Sequence, residues 1–350
     1  MRECRRIRDW MEIPGRFETG KRNAITDVPG VLVGQKTLIQ GDDVRTGITL
    51  IRPHGGDLYH IMTPTGVYVG NGYGKLTGSL QVEELGVSES LIGLTNTLSV
   101  PRVVQGILNY QKQWVTPSDG TMNVLVGETN DGYLSDIYGF HITPDHTREA
   151  IAALSEEVEE GAVGAGTGTS CYDFKGGIGT ASRIVRGKHI GEREDYTVGV
   201  IIQTNFGGNL NIYGHQLPFA PLPEPDPAGS CMIVVATDAP MDARQLKRIA
   251  KRAIIGMAAT GSYLSNGSGD FAIAFSNHAQ NLIDRRDDHA KDFKRLAEAQ
   301  LNCFFEAVAD AAREAVYNSL TMAVDTVGYR GHSRKAFDIT QYQDLIPLKH

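Results

Sequence analysis

From Leu217 to Ser230 the chain reads LPFAPLPEPDPAGS, and it runs straight on into CMIVVA. A serine preceded by glycine therefore stands where a proline-rich stretch meets a run of apolar residues. Two readings of this junction are open: Gly229-Ser230 is a turn ahead of a strand, or it is a self-cleaving peptide bond. In the second reading Ser230 Oγ attacks the Gly229 carbonyl, an N→O acyl shift leaves an ester, and water releases a new amino terminus. Glycine suits the preceding position, because without a Cβ it tolerates strained dihedrals and leaves its carbonyl open to attack. The freed α-amine, with an ordinary pKa of about 7.7–8.0, is a base of the right strength to take a hydroxyl proton near neutral pH. One residue would then supply both nucleophile and base.

Other chemistries find less support. GNGYGK (70–75) has no Ser or Thr after Lys75 and lacks P-loop glycine spacing, and GAGTGT (164–169) is not a dinucleotide-binding GxGxxG. Both read as tight loops where backbones approach one another or a site. The ten histidines form no HExxH, and Asp287-Asp288-His289 reads as a helix entry rather than a ligand set. No metal or cofactor is expected. The four cysteines (Cys4, Cys171, Cys231, Cys303) show no CxxC spacing, so the last three are expected as free buried thiols.

The elements that would position such a junction are partly visible. Up to about Thr77 short apolar runs between glycine-rich turns suggest strands at Val31–Val33, Ile48–Arg52, Leu58–Met62 and Val67–Val69. Further strands are expected at Met122–Val126, Thr197–Gln203 and Phe271–Phe275. Cys231–Ala236 is continuously apolar, the pattern of a strand buried on both faces. Helical spacing marks a helix after Ser99, with Pro101 in its first turn. Another runs from about Thr147, a third from about Met241 capped by Thr237 or Asp238, and a long one covers His289–Ala315. Pro218, Pro221, Pro223, Pro225 and Pro227 exclude helix or central strand from their segment, which is expected to be extended and exposed. Strands in groups with helices between them imply helices packed on sheet layers, an α/β or α+β sandwich.

Composition bounds the rest. Thirty-four Lys and Arg against 41 Asp and Glu give a net charge of −7, which argues against a nucleic-acid groove. A hydrophobic share of 41% supports a packed core, and 40 glycines in 350 residues exceed the usual ~7%. No apolar run reaches the ~18–20 residues that span a bilayer, and the first residues show no secretory pattern. A cytoplasmic protein is expected, and the length alone suggests one large domain or two ordinary ones.

Several strings recur in a recognisable order: VGETNDGYLSD (126–136), GAVGAGTGTSCYDFKGGIGTASR (161–183), TNFGGNLNIYG (204–214), AGSCMIVVATDAP (228–240) and SNGSGDFAIAFS (265–276). With GNGYGKLTG (70–78) and GLTNTLSV (93–100) they make the chain resemble the DmpA/BapA family of P1 peptidases, the L-aminopeptidase/D-amino-acid esterase-amidases and β-peptidyl aminopeptidases. The resemblance runs from about Asn23 to about Val308. It implies a four-layer αββα sandwich like that of the N-terminal-nucleophile hydrolases, with DmpA-type connectivity. It also implies a single domain over 1–350, cut into 1–229 and 230–350, with Ser230 as N-terminal nucleophile.

Site roles follow from the same resemblance. Asn205 matches an oxyanion-hole amide, although on its own it reads as a turn residue before Gly207-Gly208. Ser268 and Asp270 match a Ser-Gly-acid element that orients the nucleophile and its amine; the β-aminopeptidases carry Glu at the acid position, so Asp270 is one methylene shorter. Tyr133 matches an active-site tyrosine able to donate to the oxyanion, and Glu128 an acid that binds the substrate's free amine. Expected partners are short peptides, amino-acid amides or esters, and further copies of the two-chain unit, with neither nucleic acid nor membrane. The rival readings are an acyltransferase of the ornithine-acetyltransferase type, whose nucleophile is Thr, and an uncleaved binding protein of the same fold.

Overall fold

The computed structural model describes residues 4–116, 119–218 and 229–349. Two sheets face each other. The first contains β1 (Leu32–Gln40), β2 (Val44–Arg52), β4 (Ile92–Asn96) and β5 (Leu125–Thr129) in the order β1-β2-β4-β5, edged by the two-residue Leu76–Thr77. The second contains β3 (Ile61–Gly72), β6 (Ile178–Val185), β7 (Tyr196–Asn205), β8 (Gly229–Thr237) and β9 (Ser268–Ser276) in the order β6-β7-β8-β9-β3. Helices α1 (Val100–Gln111) and α2 (Pro144–Ala152) cover the outer face of the first sheet, and α3 (Ala243–Ala258) and α4 (Leu301–Thr321) that of the second. The result is an αββα sandwich, as the sequence led one to expect.

The three layer boundaries are three apolar cores, and β8 belongs to two of them. Cys231, Ile233 and Val235 face α3 and α4, while Met232, Val234 and Ala236 face the first sheet. Side chains alternate across a strand, so a fully apolar hexapeptide is what a central strand between two cores requires. Burying each Ile or Val of this run contributes roughly 1.5–3 kcal/mol. A third core lies between the first sheet and α1 and α2, from Leu50 and Val126 to Val103 and Ile107. Where α4 crosses β6, a Cβ on Gly179 would stand 1.9 Å from the Ala315 carbonyl; only glycine permits that approach.

Several boundaries differ from the sequence reading. Leu58–His60 is a turn, and its strand starts at Ile61; Leu58 is buried there without extended pairing. Likewise Met122–Val124 lies ahead of its strand, and α2 begins at Pro144. The cap of α3 is Asp242, whose Oδ1 accepts from Gln245 N at 2.7 Å, and not Thr237 or Asp238. Asp238 Oδ1 instead accepts the Thr197 amide across the sheet. The long helix starts at Leu301, twelve residues later than expected, and continues to Thr321. Leu296 supplied part of the misleading periodicity. It is buried because its backbone hooks onto the start of α3, N–H to Pro240 O and carbonyl from Gln245 Nε2. Asp287–His289 therefore opens no helix. Cys171 and Cys231 are free and buried, but Cys303 is only half-buried. Pro218 is exposed; the other four prolines of the expected tether lie outside the described residues. Among the described residues no helix is long and apolar enough to cross a membrane.

Candidate active site

Gly229 and Ser230 begin β8, so the junction of interest lies inside the sheet, between β7 and β9. Ser230 pairs with Asn205 on the antiparallel side and with Gly269 on the parallel side, and Gly229 pairs with Ser268. Alternation then divides the neighbourhood. Ser230 has the parity of Met232 and faces the first sheet; Gly229 and Cys231 face the helices, together with their register partners Ser268 and Asp270.

On the first-sheet side Ser230 is 5% exposed, and its Oγ accepts two hydrogen bonds, from Asn205 Nδ2 at 3.2 Å and from the Asn130 amide at 3.3 Å. Asn205 Oδ1 is taken by the Ser170 amide at 3.0 Å, while its Nδ2 also donates to the Asn130 carbonyl at 2.9 Å. An acceptor fixed by a backbone N–H settles which way the amide points. Among the described residues no histidine, lysine or carboxylate hydrogen-bonds Ser230 Oγ. The hydroxyl has oxyanion-type donors but no side-chain base.

A cleft of about 470 Å³ opens on this side, lined by Ser230, Asn130, Glu128, Thr97, Tyr73 and Lys75 among others. Glu128, at the end of β5, is 4% exposed, with Oε1 accepting from the Lys75 amide at 3.0 Å and Oε2 from the Thr97 hydroxyl. Tyr73 to Lys75 pass so near that a Cβ on Gly74 would lie 3.1 Å from Glu128 Oε1. The GNGYGK string thus serves as a close-packed cleft wall. A carboxylate so placed in a cleft is suited to pairing with an ammonium and fixing its register.

On the helix side the picture reverses. Ser268 and Asp270 are buried, yet Ser268 Oγ and both carboxylate oxygens of Asp270 make no hydrogen bond of normal geometry. Burial pushes the Asp270 carboxyl up to about 6, with the Ser268 hydroxyl pulling the other way. Ser268 is close to the junction: a Cβ on Gly229 would stand 3.1 Å from its Oγ. Orphaned buried oxygens are rare and call for an explanation.

The structure therefore brings Ser230 and Glu128 to one cleft, sets Asn205 against Ser230 Oγ outside the cleft lining, and puts Ser268 and Asp270 on the opposite face of the same strand ends. Tyr133 is not in the cleft lining. It follows Asn130 by three residues and is 42% exposed, its ring stacked on His332 (centroids 4.6 Å apart) with the Arg334 guanidinium 3.9 Å from its centroid. Asn130, Thr97 and Ser170 escaped the sequence reading. Asn130 and Ser170 act through backbone groups that no side-chain pattern reveals, although Asn130 lies between Glu128 and Tyr133 and Thr97 lies within GLTNTLSV.

The profile of peptidase family S58 matches residues 23–334. The β-peptidyl aminopeptidase BapA of Sphingosinicella microcystinivorans is 37% identical over 367 residues, covering 94% of this chain and 88% of that one. Among solved structures, the PH0078 protein of Pyrococcus horikoshii is 43% identical, with a TM-score of 0.88 over 95% of this chain and 96% of that one. The L-aminopeptidase D-Ala-esterase/amidase of Ochrobactrum anthropi, described as a prototype of the serine aminopeptidases and a variant of the Ntn hydrolase fold, is 32% identical with a TM-score of 0.86, covering 97% and 99%.

Proposed function

The chain belongs to peptidase family S58 and is a hydrolase of the aminopeptidase class; from that premise we propose that it cuts itself between Gly229 and Ser230 and then works through the new amino terminus. The observation that carries this reading is the environment of Ser230 Oγ, which among the described residues has two N–H donors and no side-chain base. A serine so placed needs a base from elsewhere, and the α-amine released at its own residue is the nearest source.

Processing breaks the Gly229–Ser230 C–N bond and forms a Gly229–Oγ ester, the freed nitrogen taking up a proton. Water then splits the ester into the Gly229 carboxylate and the free hydroxyl, leaving chains 1–229 and 230–350 of a single fold. In turnover the amine takes the Oγ proton as Oγ attacks the substrate carbonyl. Asn205 Nδ2 and the Asn130 amide stabilise the oxyanion, for which one such donor is worth about 2.7–4 kcal/mol. The proton passes to the leaving amine or alcohol, and water hydrolyses the acyl-enzyme to release the N-terminal residue. Glu128 holds the substrate's ammonium, which restricts substrates to short peptides, amides and esters with a free amine. Ser268 and Asp270, unpartnered beside Gly229 in the continuous chain, receive the new ammonium once the bond is cut. Tyr133, outside the cleft lining, contributes less than Asn205.

Mass spectrometry under denaturing conditions tests the first step: two chains are expected, Ser230 leading the smaller, and one intact chain after Ser230→Ala. Cleavage at the same bond in that variant would remove Ser230 from the reaction. Hydrolysis of aminoacyl anilides is expected to vanish when the substrate amine is acetylated; equal rates with and without the acetyl group would end the role given to Glu128.

A further inference from the structure

Behind the glycine-rich loop stands a buried cation that the reaction above does not use. Ser170–Cys171 and Phe174–Lys175 form a small hairpin with Ser170 opposite Lys175. It turns through Tyr172 and Asp173, both left-handed at φ 52° and 64°, the requirement of a type I′ turn. The Lys175 side chain is 0% exposed, and its Nζ donates to three carbonyls: Gly166 at 2.9 Å, Thr169 at 2.8 Å and Gly176 at 2.7 Å. These three bonds use every proton of an ammonium, and each partner is a neutral carbonyl rather than a carboxylate. Burial pulls the Lys175 pKa down to about 7, against the pull of Cys171 and Asp131. A cation held this way is costly, and an apolar side chain of similar volume commonly serves stability as well or better.

One of the three bonds goes to the adjoining Gly176; the other two, to Gly166 and Thr169, pin the ends of the turn that leads to Ser170. Thr169 is the preceding residue, and the Ser170 amide is the group that takes Asn205 Oδ1 at 3.0 Å. Asn205 in turn directs Nδ2 at Ser230 Oγ and at the Asn130 carbonyl. The other side of the loop is braced too: a Cβ on Gly168 would lie 3.0 Å from Asp131 Cβ, next to Asn130. The path from ammonium to nucleophile is thus Lys175, the 166–169 turn, Ser170 N–H, Asn205 amide, Ser230 Oγ.

We infer that Lys175 is a positioning residue for catalysis, clamping the Gly166–Thr169 turn so that the Ser170 N–H holds the Asn205 amide in its donating orientation toward Ser230 Oγ. This rests on the reading of Asn205 as an oxyanion donor. Asn205→Ala, Lys175→Met and the double variant are each measured twice: as the rate at which the intact chain is cut, and as kcat and KM of the cut enzyme. Asn205→Ala is expected to lower kcat on the order of 10²–10³-fold. Displacing a donor by about 1 Å costs on the order of 10²-fold, so Lys175→Met should lower kcat by roughly 10- to 100-fold with KM little changed.

The double variant should be no slower than Asn205→Ala, because Lys175 acts through Asn205. Multiplying losses, or an unchanged kcat in Lys175→Met, would overturn the inference. An unchanged kcat in Asn205→Ala would instead remove the oxyanion reading on which it stands. Lys175→Arg, which keeps a buried cation of different reach, decides the matter should Lys175→Met not fold: it must lower kcat with KM little changed and be non-additive with Asn205→Ala, and an unchanged kcat would overturn the inference.

Discussion

Asp270 and Glu314 are both carboxylates with no exposed surface, both on the helix side of the second sheet, and their surroundings are opposite. Glu314, on α4, accepts Arg8 at 2.6 and 2.8 Å, Asn23 Nδ2 at 2.7 Å and Arg183 Nη2 at 2.7 Å. Burial alone would raise its pKa, but Arg183 and Arg8 hold it below the ordinary value. Asp270 has no such partner, and burial takes it up to about 6. The first arrangement ties the N-terminal segment, β6 and α4 together and leaves nothing for a further ligand. The second keeps a carboxylate unsatisfied within one strand of the junction at Ser230. A buried charge surrounded by its own counter-ions serves the fold; the proposal above gives the unpartnered one to the amino terminus that the cut would release.

Three substitutions or conditions probe this contrast. The largest effect is expected from Asp270→Asn, which should lower kcat by about 10²–10⁴-fold, the usual worth of a group that manages a proton in the transition state, while leaving the melting temperature of the uncut Ser230→Ala chain unchanged or higher. A collapse of stability with normal specific activity would make Asp270 a structural residue like Glu314.

Glu314→Gln should do the reverse. Removing one member of a buried pair typically costs about 3–5 kcal/mol, to be read as a shift in urea midpoint, with kcat of the folded enzyme preserved.

The smallest effect is a slope in pH. In the uncut chain the Asp270 pKa is raised from 3.8 to about 6, so the fold favours its protonated form. Stability is therefore expected to fall as pH rises through that window, by on the order of 3 kcal/mol in total. Glu314, with a depressed pKa, contributes stability that is present above its ordinary 4.5 and is lost as pH falls. Urea unfolding of Ser230→Ala against Ser230→Ala/Asp270→Asn between pH 4 and pH 7 isolates the first slope; parallel curves would mean that Asp270 is not strained in the precursor.

The parts legible in the sequence were those written in side chains along one element. CMIVVA announced a strand between two cores because both of its faces are apolar, and Ser99 with Pro101 marked the start of α1 correctly. The long helix was misplaced because Leu296 is buried through a backbone hook rather than a helical face. At the site, Ser230 stood out by its junction, whereas Asn205, Glu128, Ser268 and Asp270 became candidates only through the ordered strings around them. That Ser268 and Asp270 lie across the strand from Ser230 Oγ follows from the Gly229–Ser268 register, a long-range fact. Lys175 gave no local sign, since its partners are carbonyls brought together by a hairpin and a loop.

The position of the junction within a central strand has a consequence for how the molecule comes apart. β8 and β9, with α3 and α4, belong to the segment after residue 229, while β3, β6 and β7 flank them from the segment before it. The first sheet lies wholly in the segment before residue 229, but the second sheet is complete in neither segment. Before the cut, unfolding and refolding concern one chain, and the partners of β8 are always tethered to it. After the cut, the same recovery is a meeting of two molecules, dependent on dilution and competing with aggregation of exposed strand edges. Processing would thus turn a refoldable precursor into an enzyme whose persistence is governed by how slowly it opens.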